Sequence, residues 1–125
     1  MRIGRVTADG RVQVQIPIVA SSGTAQEIEA LLDTGFNGSV ALSPEQVAAL
    51  GLKQQSKTTV VLASGERRNV PTYRATIQFG GQEQAVLVAE AGESLIGMAL
   101  LWGHDLHIQC EAGGSVTVEA HSREG

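Results

Sequence analysis

The chain has 125 residues, the size of one domain, and 42% of them are apolar, enough to pack a core and to argue against disorder. A net charge of -4 and a pI near 5.3 exclude the basic patch that nucleic acid would need. No polybasic or long apolar run points to a membrane surface or span, and a single cysteine rules out an intrachain disulfide.

The segment Met1 to Thr7 carries positive charge but no apolar stretch follows it, so no secretory leader is expected and the expected location is cytoplasmic. Ala8-Asp9-Gly10 is a turn signal. After it Val12, Val14, Ile16 and Ile18 alternate with polar residues, which predicts a half-buried strand, and Pro17 suggests that it lies at an edge. Ser21 to Thr24 reads as a loop and Glu27 to Leu32 as a second strand. Ser43-Pro44-Glu45-Gln46 is a helix start: Ser43 caps, Pro44 suits the first turn, Gln46 completes a capping box, and Gly51 ends the helix. Strands are predicted over Thr58 to Ala63, Asn69 to Phe79 and Gln84 to Ala89, with turns at Ser64-Gly65 and Gly80-Gly81. Met98 to Trp102 is a short helical stretch. Leu106, Ile108 and Cys110 alternate as another strand, and Val116 to Val118 form the last one. Residues 1–119 therefore read as one all-β domain, a barrel or sandwich with one or two short helices, and 120–125 as a loose polar tail. Few aromatics means an aliphatic core, expected from Leu31, Leu32, Leu50, Val61, Ile77, Val86, Val88, Leu95, Ile96 and Leu101. The motif of an apolar pair, then Gly or Asp-Thr-Gly, then a short helix occurs twice.

Leu31-Leu32-Asp33-Thr34-Gly35 is the segment that carries chemistry. A carboxylate at the end of an apolar strand can point into a cleft, a Thr hydroxyl can fix the loop, and Gly permits close backbone approach. Two such carboxylates sharing one proton can activate a water and polarise a carbonyl. Asp and Gly are also ordinary turn residues, so the triplet alone fits an unrelated β-barrel as well. Cys110 and Trp102 read as core. His104, His107 and His121 read as solvated or structural rather than metal-binding, and no cofactor is expected. The chain has neither a Gly-x-Ser-x-Gly elbow nor a phosphate loop.

Three motifs in order resemble the retropepsins, the retroviral proteases and their small bacterial relatives. They are the Asp-Thr-Gly loop after two apolar residues, the hairpin Thr59 to Glu66 at the place of the family's flap, and Leu95-Ile96-Gly97 followed by Leu100-Leu101 and Gly103. The resemblance runs from about Val12 to Val118 and implies a closed β-barrel with a flap hairpin over its cleft and one or two short helices. It implies Asp33 as the catalytic aspartate, Thr34 as a brace across a dimer axis and Gly35 as a backbone contact to peptide. It also implies a flap tip at Ala63, Ser64 and Gly65, and apolar support from Leu95, Ile96 and Gly97. Four positions depart from the retroviral pattern. Asn37 and Met98 stand where an acidic residue and an Arg form an ion pair, so both partners are absent together and no charge is orphaned. Ala99 stands where Asn or Asp is usual, a loss of about 1 kcal/mol if that position is a cap. Phe36 replaces a small residue, and with Asn37 it is expected to line or narrow the cleft.

Two carboxylates are needed and the chain offers one Asp-Thr-Gly, so the resemblance implies a homodimer acting on a peptide or protein, with terminal strands at the interface. Val116 to Val118 and Arg2 to Val6 are the candidates. Two readings stay open: an aspartic endopeptidase, and a catalytically inactive peptide-binding or assembly module of the same fold.

Overall fold

The computed structural model describes residues 1–121. Alternating apolar residues and glycine-bounded turns give ten strands and two short helices. In order these are β1 (Arg2–Val6), β2 (Val12–Val19), β3 (Ala25–Leu32), β4 (Val40–Leu42), α1 (Pro44–Leu50), β5 (Gln54–Val61), β6 (Arg67–Phe79), β7 (Gln82–Glu90), β8 (Leu95–Ile96), α2 (Met98–Leu101), β9 (His104–Ile108) and β10 (Ser115–Ala120). The all-β class expected from the turn spacing is the class observed. The strands form one sheet in the order β5-β6-β7-β4-β8-β3-β2-β1-β10-β9, and a bridge from Ile18 in β2 to Ile77 in β6 joins six of them into a ring.

The ring encloses an aliphatic core. Val14, Ile16 and Ile18 of β2 point inward with Val40, Leu42, Ile77, Val88, Ile96, Val116 and Val118, all nearly inaccessible. Burial of such side chains stabilises by roughly 1.5–3 kcal/mol each. Of the predicted core, Leu50, Ile77, Val86, Val88, Ile96 and Leu101 are buried. Leu31, Leu32 and Leu95 are only half-buried, because they end their strands beside an exposed loop. Val61 is 64% exposed: it sits on the β5–β6 hairpin, which runs out beyond the core.

The α1 helix starts as its residues dictate. The Ser43 hydroxyl accepts from the Gln46 N–H at 3.2 Å, the Gln46 side chain accepts from the Ser43 N–H at 3.2 Å, and Gly51 closes the other end. Other expectations are corrected. Pro17 does not mark an edge: β2 is flanked by β3 on one side and by β1 and β6 on the other, and Pro17 falls between those last two pairings. Trp102 is 76% exposed, since it leaves α2 at the C-cap and points away from the core. Cys110 is also exposed, because β9 stops at Ile108 and the alternation does not continue. Of the tail expected over 120–125, Ala120 ends β10 and the His121 N–H donates to Gly103 O at 2.8 Å, while 122–125 lie outside the described residues.

Candidate active site

The repeated apolar motif becomes a matched pair of strand ends. Strands β3 and β8 run parallel with Leu31 opposite Leu95 and Leu32 opposite Ile96. Strand β4 lies on the other side of β8, antiparallel, with Val40 opposite Ile96. Residues 33–39 therefore form a loop that leaves β3, turns, and returns beside the strand it has just flanked.

This loop is latched to β8 and α2 by backbone hydrogen bonds. The Asp33 N–H donates to Ile96 O at 2.9 Å and the Gly97 N–H to Ser39 O at 3.1 Å. The Met98 N–H donates to Phe36 O at 2.8 Å and the Ala99 N–H to Gly38 O at 3.2 Å. Within the loop, the Gly35 N–H donates to Asp33 Oδ1 at 2.8 Å and the Phe36 N–H to Asp33 O at 3.1 Å. The Asp33 carboxylate is thereby oriented while remaining exposed, as are Thr34, Gly35 and Asn37.

Phe36 does not extend freely over the loop. Its half-buried ring rests on the backbone of Gly38 and Gly97. A Cβ on Gly38 would sit 2.5 Å from the ring Cζ, and one on Gly97 2.5 Å from Cδ2, so both positions must lack a side chain for the ring to lie there. Gly38 was not singled out from the sequence. An aromatic two residues before a glycine, in a chain with only 3% aromatics, was the available signal. Met98 packs against the core as an apolar substitute for an ion-pair partner. Ala99 lies inside α2, whose N-cap is Gly97, so position 99 is not a cap and the expected capping loss does not arise.

The hairpin of β5 and β6 ends in a three-residue loop. Its Leu62 N–H donates to Glu66 O at 2.8 Å and its Gly65 N–H to Leu62 O at 2.8 Å. Ala63, Ser64 and Gly65 are exposed at the tip. Gly65 has φ of 84°, the left-handed conformation such a loop needs at its last position. At the hairpin's base a Ser56–Thr72 hydroxyl pair at 2.8 Å joins the strands.

The His104 ring packs edge-on against Phe79 at 5.1 Å, and His121 pairs with Asp105 at 2.7 Å. Among the described residues no group of three His, Cys, Asp or Glu side chains is placed to hold a metal ion. A groove of about 590 Å³ lies between β1, β2 and the β6–β7 turn, and no residue of the Asp33 loop lines it. Asp33 is thus presented at an exposed surface of the chain.

Comparison with known proteins bears on this arrangement. Residues 6–100 match the model of a family described as aspartyl protease. Among solved structures, the EIAV protease complexed with the inhibitor HBY-793 has a similar fold. Its TM-score is 0.55 at 21% identity, over 73% of this chain and 85% of that one. No curated protein matches the chain.

Proposed function

Because the chain belongs to the aspartyl protease family, we propose that it is one subunit of a homodimeric aspartic endopeptidase in which Asp33 of each copy supplies one catalytic carboxylate. The observation that carries this reading is the Asp33 loop itself. It holds a carboxylate by a backbone N–H at 2.8 Å, fixes its base by the latch to β8 and α2, and leaves the carboxylate open on the face where a second copy would bring its own.

Two carboxylates brought within hydrogen-bond reach of each other in the proposed dimer would share one proton, since like charges that close resist double ionisation. The ionised one takes a proton from water as its oxygen attacks the scissile carbonyl carbon. The protonated one donates to the carbonyl oxygen, giving a neutral tetrahedral diol. Collapse breaks the C–N bond, with a proton passing to the leaving amine, and the shared proton returns to the pair. Thr34 braces the two loops across the axis and Gly35 offers its carbonyl to the peptide. Asn37 lies at the rim of the cleft. The tip at Ala63, Ser64 and Gly65 closes over the substrate, with exposed Val61 facing it, while Leu95, Ile96 and Gly97 back the loop.

Pairing within the chain supports one contact over another. β1 and β10 are paired with each other, Arg2 opposite Thr117 and Gly4 opposite Val116. Among the described residues β9, which follows α2 directly, is paired as a strand on one edge only, to β10. Its other edge is the surface we assign to the partner.

Purified protein mixed with a diverse peptide library across roughly pH 3 to 8, a range that brackets carboxylate titration, tests the reading. The expected result is cleavage with a bell-shaped, acid-favouring pH profile, and none by Asp33→Asn. Absence of cleavage at every pH while a dimer is present would overturn it and leave a peptide-binding module of the same fold.

A further inference from the structure

The strongest unexplained feature of the loop is its one aromatic ring. Phe36 stands three residues after Asp33, half-buried. Its ring lies against the two glycines that flank the latch. Cζ and Cε1 approach the site of a Gly38 Cβ at 2.5 and 2.8 Å, and Cδ2 approaches that of Gly97 at 2.5 Å. The same residue carries two of the backbone bonds that define the loop. Its N–H donates to Asp33 O at 3.1 Å and its carbonyl accepts from Met98 at 2.8 Å. The loop therefore curls around this side chain, with the catalytic segment on one flank and α2 on the other.

We infer that Phe36 is a positioning residue: its ring is the filler that sets the path of the Asp33 loop, and Gly38 is the complementary position that makes room for it. Asn37 is exposed and Met98 is packed on the core, so neither bears charge that could tie the loop to α2. Close packing transmits a lost or added atom as a shift of backbone. Here the backbone to be shifted is the one that bears the carboxylate. This role rests on the protease reading above.

The three atoms nearest a Gly38 Cβ all belong to the Phe36 ring, whereas a Cβ at Gly97 would also strike the carbonyl oxygens of Phe36 and Gly38. The pair Phe36 and Gly38 can therefore be tested in isolation. Gly38→Ala presses a methyl into the ring, Phe36→Ala leaves the space empty, and the double variant Phe36→Ala/Gly38→Ala removes the clash and partly refills the void. Each single change is expected to lower kcat on the order of tenfold to a hundredfold, as misplacement of a catalytic group does, with little change in KM. The double variant is expected to be no worse than Phe36→Ala alone, far from the product of the two losses. Phe36→Leu, which keeps an apolar filler, is expected to recover most of kcat.

The pH profile separates positioning from a general loss of fold. If the ring holds the two Asp33 carboxylates at one distance, Phe36→Ala weakens their coupling and narrows the bell, while its melting curve stays cooperative. Multiplicative losses in the double variant, or an unchanged kcat and bell width in Phe36→Ala, overturn the inference while leaving the protease reading intact. A dimeric but inactive wild type removes both.

Discussion

At the scale of single residues, orientation by neighbours matters more here than burial. Asp33 is exposed, and what distinguishes it from other surface carboxylates is the Gly35 N–H and the latched backbone behind it. Tyr73 shows the same economy away from the site. Its hydroxyl donates to Glu90 Oε2 at 2.7 Å, and that carboxylate pushes its ionisation above the ordinary tyrosine value. A group whose acid form is favoured by folding adds stability below its unfolded pKa, about 10, and loses that contribution as pH rises through the higher folded value. Tyr73→Phe is therefore expected to melt at a lower temperature than wild type at neutral pH, with the gap shrinking above about pH 10. Melting curves taken from neutral to strongly alkaline buffer check this, and a constant gap would contradict it. Asp33 and the pair Leu95-Ile96 were legible from the sequence because their residue types and order form a motif. The packing of Phe36 on Gly38 and Gly97 was not legible, since nothing in a linear pattern says which backbone a ring will rest on.

At the scale of elements, local chemistry read well wherever it acts within a few residues. The capping box of α1 is an instance, and it yields a direct prediction. Ser43→Ala leaves the Gln46 N–H without its side-chain acceptor and is expected to destabilise the fold by about 1 kcal/mol, measured by chemical denaturation, without changing the oligomeric state. Elements governed by tertiary packing read less well. β4 has three residues, too few to show a period, and its existence depends on β7 and β8 being there to receive it. Alternation along β9 was extended two residues too far, which placed Cys110 inside. Trp102 reads as core on hydrophobicity alone, yet it leaves α2 at the C-cap and stays exposed although β9 follows two residues later. Val61 has the alternation of a core strand, but its hairpin leaves the core behind, so its apolar surface is kept open.

At the scale of the whole molecule, the paired strand ends β3 and β8 make the repeated motif visible as geometry. Each apolar pair ends a strand, the two ends lie in register, and only one of them is followed by Asp. That asymmetry within the subunit is what makes a second copy necessary to the proposed reaction. The pairing of β1 with β10, together with the N-terminal amine's bond to Val118 O at 2.9 Å, has a consequence for how copies trade places. If each copy of the proposed dimer keeps that pairing, no strand passes between copies, so they are expected to join and part as whole bodies and to reshuffle when two populations are mixed. Equal amounts of wild type and Asp33→Asn, pooled and left to scramble, are then expected to settle at about a quarter of the activity expected of the same total amount of pure wild type, since random pairing leaves that share with both aspartates. A mixture that keeps about half would instead describe partners locked together from the start.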